Sequence, residues 1–135
     1  MPRVDVLRTY LELSGPEALE PAPCPDPRAR IEEVHDCPPS FFRYLYVEVG
    51  RQYHWTDRLP WTDEEMAARL ADPNVSLHLL TLAGAPAGYF ELEAEEDGAV
   101  NVAFFGLLPE FHRRGLGKYL LTEAAQEAFN RGASR

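Results

Sequence analysis

A glycine-containing turn is the part of this sequence best suited to bind a charged ligand. The apolar run Val102 to Pro109 leads into Glu-Phe-His-Arg-Arg-Gly-Leu-Gly-Lys and then into a helical pattern. Backbone N–H groups at a helix N-terminus are unpaired and lie at the positive end of the helix dipole, so they attract anions. Two glycines admit a ligand close to the backbone and three side chains add positive charge: Gly115, Gly117, Arg113, Arg114 and Lys118. The turn therefore predicts a site for a phosphorylated cofactor.

Two other phosphate-binding turns do not fit this spacing. A P-loop requires glycine at the position of His112 and serine or threonine at that of Tyr119. A dinucleotide fingerprint requires a third glycine at Leu120 and an acidic residue about 20 residues later, whereas the sequence stops at Arg135. The turn is therefore expected to be of a third kind.

The stretch from Leu108 to Leu121, LPEFHRRGLGKYLL, resembles the acetyl-CoA-binding signature of the GNAT acetyltransferases. The hairpin before it, with strands at Gly88 to Leu92 and Phe104 to Leu107, is similar to the two central strands of that family. The resemblance covers residues 40–135 and departs at His112, where the family usually has glutamine or arginine. It implies acetyl-CoA as cosubstrate, bound by Leu107, Leu108, His112, Arg113, Arg114, Gly115, Leu116, Gly117 and Lys118 within a strand–turn–helix at residues 102–130.

The resemblance implies transfer of an acetyl group from a thioester to an amine by direct attack. The backbone N–H groups of Leu107 or Leu108 are then the candidates for stabilising the developing oxyanion. Glu91 shares a strand face with Tyr89, and helices covering that face would desolvate its carboxylate, which suits a general base. Alternatively, Glu91 to Glu95 is the solvated side of a hairpin.

The stretch Tyr53 to Trp61 joins two predicted helices, and in the family this region overlies the acceptor site. The resemblance implies that an aromatic or cationic amine, small molecule or peptide, contacts Tyr53, Trp55, Asp57 and Tyr89. Alternatively, Trp55 and Trp61 pack the loop onto the sheet. No metal site is expected, because Cys24, His35 and Cys37 lack a fourth ligand at finger-like spacing.

Length and charge limit the other functions. The 135 residues, 45% of them hydrophobic, suffice for a single domain over residues 1–135. Residues 1–100 carry 8 basic and 19 acidic side chains, and residues 101–135 carry 5 and 3. A net charge of −9 argues against nucleic acid or an anionic membrane as partner and favours a cationic substrate. The N-terminal sequence is neither a signal peptide nor a membrane span, so a cytoplasmic protein is expected.

The pattern of apolar and turn residues predicts an α/β fold with a mainly antiparallel sheet flanked by helices. Residues 16–39 are proline-rich and are expected to form a loop. A first helix is expected over residues 41–53, with Ser40 as its N-terminal cap. A second is expected over residues 63–71, with Thr62 as its cap and with Met66, Ala67 and Leu70 on its inner face. A third is expected over residues 115–130, with Gly132 as its C-terminal cap. The expected strands cover 4–13, 76–82, 88–95 and 99–108.

The end of the sequence departs most from the family pattern. In the family the signature helix is followed by a further strand, a helix and usually two more strands, whereas this sequence ends at Arg135. The resemblance therefore implies a C-terminally incomplete domain with an uncovered sheet edge beside Leu107 and Leu108. Such an edge favours a homodimer formed by strand pairing. It also leaves open an alternative function, a truncated and catalytically silent domain that binds CoA or another protein.

Overall fold

The computed structural model describes residues 23–51, 55–56 and 58–131. The predicted strand at 4–13, the candidate acceptor contacts Tyr53 and Asp57, and the predicted helix cap Gly132 lie outside the described residues. The elements are β1 (Ala29–Glu33), α1 (Pro39–Gly50), α2 (Asp63–Ala71), β2 (Val75–Leu82), β3 (Ala85–Ala94), β4 (Val100–Leu107), a 3₁₀ turn (Pro109–Phe111) and α3 (Leu116–Asn130).

The strands form an antiparallel sheet in the order β1-β2-β3-β4, so each pairs with its neighbour along the chain. The β2–β3 turn has two consecutive residues with positive φ, Ala83 at 52° and Gly84 at 88°, the backbone that tight hairpin turns require. β4 occupies one edge of the sheet in the described part of the chain. The expected mixed α/β fold with an antiparallel sheet is confirmed.

Helices cover both faces of the sheet and divide the core into two layers. On one face α3 packs through Leu116, Leu120 and Ala124 against strand residues that include Phe90 and Leu92. On the other face α1 and α2 pack against the sheet in a second cluster of buried residues. The helices contribute Phe42, Leu45, Val49 and Met66 to it, and the strands and the end of β4 contribute Leu77, Tyr89 and Leu108. β3 therefore contributes alternate side chains to the two layers, as a central strand does.

The N-terminus of α2 agrees with the sequence prediction, whereas that of α1 does not. Thr62 caps α2 in a capping box, its side chain accepting from the N–H of Glu65 while Glu65 accepts from that of Thr62, as predicted. The prediction for α1 is wrong, because its N-cap is Pro38 and Ser40 lies inside the first turn. Pro39 has the φ that a first helical position requires, so the helix starts there without a side-chain cap. It ends at Gly50, short of 53.

The prediction of a loop throughout residues 16–39 is also wrong, since Ala29–Glu33 form β1. The strand begins after the last proline of the cluster, Pro27, and pairs with β2 from Ala29 opposite Leu82 to Glu33 opposite His78. The alternation of buried and exposed residues in β1 is weak, since three of its five residues are exposed. The strand therefore depends on pairing with β2 and not on a local sequence signal. In α2, Met66 is buried as expected, but Ala67 is exposed.

Candidate active site

The predicted phosphate-binding turn lies between β4 and α3. After the 3₁₀ turn, Arg113 has a φ of 64° and Gly115, the N-cap of α3, has a φ of 75°. No side chain caps the helix within the described residues, and no backbone acceptor is found there for the N–H groups of Arg113 or Gly115. Donors at the start of α3 are therefore open to an anion.

The side chains around this turn fit the same use. Arg113, Arg114 and Lys118 are exposed, so their positive charges face solvent beside the backbone donors. The guanidinium of Arg114 lies 5.5 Å from the centre of the Phe111 ring. A Cβ on Gly117 would lie 3.8 Å from Leu107, an ordinary contact, so local packing does not require glycine there. The turn thus combines exposed cations with unpaired donors.

The two candidate oxyanion donors differ. The N–H of Leu108 donates to the carbonyl of Ala87 at 2.8 Å, so the expectation that it is freed where the strands part is wrong. Along an antiparallel pair of strands, residues whose backbone groups bond to the neighbouring strand alternate with residues whose backbone groups point away from it. Leu108 is of the first kind, so Leu107, which lies opposite Gly88, is of the second. The N–H and carbonyl of Leu107 therefore point away from β3, toward the open edge. His112 Nε2 lies 3.3 Å from that carbonyl oxygen.

A segment that sequence reasoning left out of the site lies against the turn. A Cβ on Gly115 would lie 3.5 Å from Pro25 Cβ. The pKa of Asp26 is lowered to about 2, chiefly by hydrogen bonds from Arg28 and also by the charge of Arg114. Burial, Glu123 and Cys24 raise the pKa of Tyr119. Residues 24–26 therefore lie beside the turn and the first turns of α3. In the sequence, the prolines before β1 were the signal that this segment has a restricted backbone.

Glu91 is fully buried, at 0% exposure, so the alternative of a solvated hairpin side is wrong for this residue. Its two oxygens accept from the Arg58 guanidinium at 2.5 and 2.7 Å. Arg69 Nε donates to the second of these oxygens at 2.9 Å, and Arg69 also pairs with Glu93 at 3.0 Å. A general base needs a lone pair that reaches the proton it removes. The arrangement favours a buried ion pair, and the base role of Glu91 gains no support from it.

Arg58 was not identified from the sequence. Its guanidinium lies 4.3 Å from the centre of the Phe104 ring, 4.7 Å from that of Trp61 and 5.6 Å from that of Phe42. Its backbone N–H donates to the Tyr46 hydroxyl at 3.0 Å. An arginine in an aromatic-rich loop and a glutamate on an apolar strand were the available signals, but nothing in the sequence pairs them.

The candidate acceptor contacts Trp55 and Tyr89 lie close together. Their ring centres are 6.4 Å apart, and Trp55 also contacts Phe104 at 4.8 Å. Tyr89 is fully buried, its hydroxyl has no hydrogen-bond partner among the described residues, and burial raises its pKa strongly. A Cβ on Gly50 would lie 2.7 Å from the Trp55 ring, so glycine makes room for the indole at the end of α1. Trp55 therefore packs the loop onto the sheet.

The described residues contain neither a metal-binding cluster nor a membrane-spanning helix. No cluster of three or more histidine, cysteine or acidic side chains there could hold a metal ion. Cys37 is buried, which raises its thiol pKa. None of the helices in the described ranges is long and apolar enough to span a membrane.

Comparison with solved structures identifies the fold. An aminoglycoside acetyltransferase, meta-AAC0020, from an uncultured soil metagenomic sample aligns with a TM-score of 0.66 at 16% identity, over 80% of this chain and 74% of that one. The ribosomal-protein-S18-alanine N-acetyltransferase from Escherichia coli aligns with a TM-score of 0.59 at 18% identity, over 78% and 62%. A GCN5-related N-acetyltransferase from Kribbella flavida gives 0.62 at 23% identity, over 88% and 42%. At these identities the likeness shows the fold alone.

Comparison at the level of sequence gives the family. No curated protein sequence matches the chain. The model of the acetyltransferase (GNAT) family matches residues 29–135, which include every described strand and helix. The chain therefore belongs to the GNAT family of acetyltransferases.

Proposed function

We propose that this acetyltransferase takes the acetyl group of acetyl-CoA and transfers it to an amine by direct attack. The observation that carries the proposal is the turn before α3, where backbone donors without an acceptor among the described residues lie close in sequence to the exposed Arg113, Arg114 and Lys118. Pyrophosphate oxygens would accept from these donors. Gly115 and Gly117 keep the backbone accessible, and Leu116 begins the helix whose first turn supplies further N–H groups.

Leu107 is the proposed oxyanion donor. Its N–H points to the open edge of β4, whereas that of Leu108 is taken by Ala87. As the amine nitrogen attacks the thioester carbon, negative charge grows on the carbonyl oxygen, which the N–H would stabilise. The C–S bond then breaks, the acetyl group stays on the nitrogen, and the leaving thiolate gains one proton for the one that the nitrogen loses. His112, held against the Leu107 carbonyl, would keep this part of the strand in place.

A cationic small-molecule or peptide amine is the proposed acceptor. The proteins of known structure with this fold include enzymes named for aminoglycosides and for a ribosomal-protein alanine, so the fold accommodates both kinds of amine. In this chain the excess of acidic side chains over residues 1–100 would attract a cation. Trp55 and Tyr89 lie on the α1–α2 face of the sheet, and Tyr53 and Asp57 are each two residues from Trp55 in the sequence.

Two measurements test the function. Thermal unfolding with acetyl-CoA, CoA or ATP reports selective binding, because a ligand that binds only the native state raises the unfolding temperature. We expect acetyl-CoA and CoA to stabilise the protein and ATP to stabilise it less. Thiol release with a panel of amines then reports transfer. Stabilisation by CoA without thiol release on any amine would contradict transfer and support the silent CoA-binding alternative.

We further propose that the edge of β4 pairs with a second copy of the chain. Leu107 and Phe105 point their backbone groups away from β3, and Val102 on the same strand is 36% exposed. An edge that none of the described residues covers is a template for strand pairing. Light scattering is expected to give the mass of a dimer, and Val102→Lys is expected to give a monomer. A monomeric parent protein would contradict the pairing.

A further inference from the structure

The connection between α1 and α2 is described at residues 55–56 and 58–62, here called the α1–α2 segment, and Arg58 is the charged side chain of these residues that is buried. Leu59, next to Arg58, is 50% exposed, and Pro60 is also exposed, whereas Arg58 is only 5% exposed. We propose that Arg58 is a positioning residue that fixes this segment as one wall of the acceptor site. The inference rests on the proposed function.

Arg58 joins the segment to two elements at once. Its guanidinium makes a two-point ion pair with Glu91 on β3, and its backbone N–H donates to Tyr46 on α1. A buried charge without a partner is strongly unfavourable, so Arg58 and Glu91 hold each other in place. The rings of Phe42, Trp61 and Phe104 surround the guanidinium and exclude water. The segment therefore has one defined position over β3 and β4.

This position lies near the proposed reaction centre. Phe104 on β4 contacts both Arg58 and Trp55. It precedes Leu107, the proposed oxyanion donor, by three residues, or about 10 Å along a strand. An amine that approaches Leu107 from the α1–α2 face would therefore pass the segment that Arg58 holds. A shift of this segment would misplace the acceptor while leaving the turn before α3 unchanged.

Arg69 provides a matched comparison. It donates to the same carboxylate and also to Glu93, but it belongs to α2 and not to the α1–α2 segment. Replacing either arginine with lysine keeps the charge near Glu91 and removes the planar two-point geometry. Only the change at Arg58 would release the segment. The two variants therefore separate a role in positioning from a general effect on the buried carboxylate.

The experiment measures acetyl transfer by Arg58→Lys and Arg69→Lys, with the amine from the panel that the parent protein acetylates best. For Arg58→Lys we expect the KM for this amine to rise by about tenfold, because such a change corresponds to the loss of about one charge-assisted hydrogen bond. The KM for acetyl-CoA is expected to stay within about twofold. For Arg69→Lys we expect both KM values within about twofold. Hydrogen exchange at residues 55–56 and 58–62 is expected to accelerate only in Arg58→Lys.

Several results would overturn the inference. An unchanged amine KM in Arg58→Lys, or equal rises in both variants, would remove the special role of Arg58 while the proposed function stands. Should Arg58→Lys not fold, Arg58→Met combined with Glu91→Gln removes both charges together, and the same selective rise in amine KM is expected. No transfer by the parent protein to any amine would instead contradict the proposed function, and with it this inference.

Discussion

The turn before α3 and the Arg58–Glu91 ion pair are built in opposite ways. The turn uses backbone donors and exposed cations from one short stretch, Leu107 to Lys118. The ion pair uses buried side chains that lie 33 residues apart in the sequence. The donors of the turn have no acceptor among the described residues, which suits the proposed anionic cofactor, whereas the groups of the ion pair are paired with each other, which suits the proposed fixing of a loop. The charged side chains of the proposed binding site are exposed, whereas those of the ion pair that joins structural elements are buried.

The largest expected effect is on stability, from Glu91→Ala. This change leaves two guanidinium groups, of Arg58 and Arg69, facing a buried space without a carboxylate, which costs about 3–5 kcal/mol in the free energy of unfolding. Urea denaturation measures it. Glu93→Ala is the control, because Glu93 is 34% exposed and its loss is expected to cost less than about 1 kcal/mol. Equal costs for the two changes would show that the buried pair has no special weight.

A smaller effect, on binding rather than stability, is expected from reversing the charges at the turn. The double change Arg113→Glu and Arg114→Glu should weaken CoA binding by more than about tenfold, because anionic side chains would then face the phosphates. Calorimetric titration measures the affinity, and urea denaturation should show little loss of stability, since both side chains are exposed. Unchanged affinity would refute the phosphate assignment.

Gly117→Ala should move stability and binding in opposite directions. Among the described residues the added methyl group meets only Leu107, at 3.8 Å, and alanine is the better helix former, so the free energy of unfolding should rise by up to about 1 kcal/mol. The same methyl group would hinder a phosphate at the first turn of α3, so CoA affinity should fall. Denaturation and titration on one preparation measure both. A gain in stability with unchanged affinity would place the phosphates elsewhere.

The smallest effect concerns a buried polar side chain on the α3 face. His78 is buried, stacks on Phe90 at 4.5 Å and lies 2.8 Å from the Ser76 hydroxyl. Burial, together with the charge of Arg131, lowers its pKa below the ordinary 6.5. The unfolded chain therefore binds the proton first, so the stability contribution is complete above pH 6.5 and declines as the pH falls below it. His78→Gln should show a weaker fall in unfolding temperature from pH 7.5 to about pH 5 than the parent protein. An identical fall in both proteins would assign the pH dependence to other groups.

Local signals were enough for most of the secondary structure. The capping box at Thr62 and the turn residues Ala83 and Gly84 act within a few residues, so α2 and the β2–β3 hairpin could be predicted. The start of α1 was mistaken because Pro39 and Ser40 both suit a helix start, and the proline took the position. β1 was missed because its five residues carry little pattern of their own and depend on β2 for hydrogen bonds.

The sequence alone determined the turn before α3, the family resemblance and the antiparallel order of the three strands that precede the turn, because each rests on residues close together in the chain. Only the tertiary structure decided that Leu107 rather than Leu108 points its N–H to the open edge, since that depends on the register with β3. It also decided that Glu91 is paired and buried rather than solvated. Side chains from β3, α2 and the α1–α2 segment meet there because packing on the sheet brings them together, and no local pattern records which charge will be the partner.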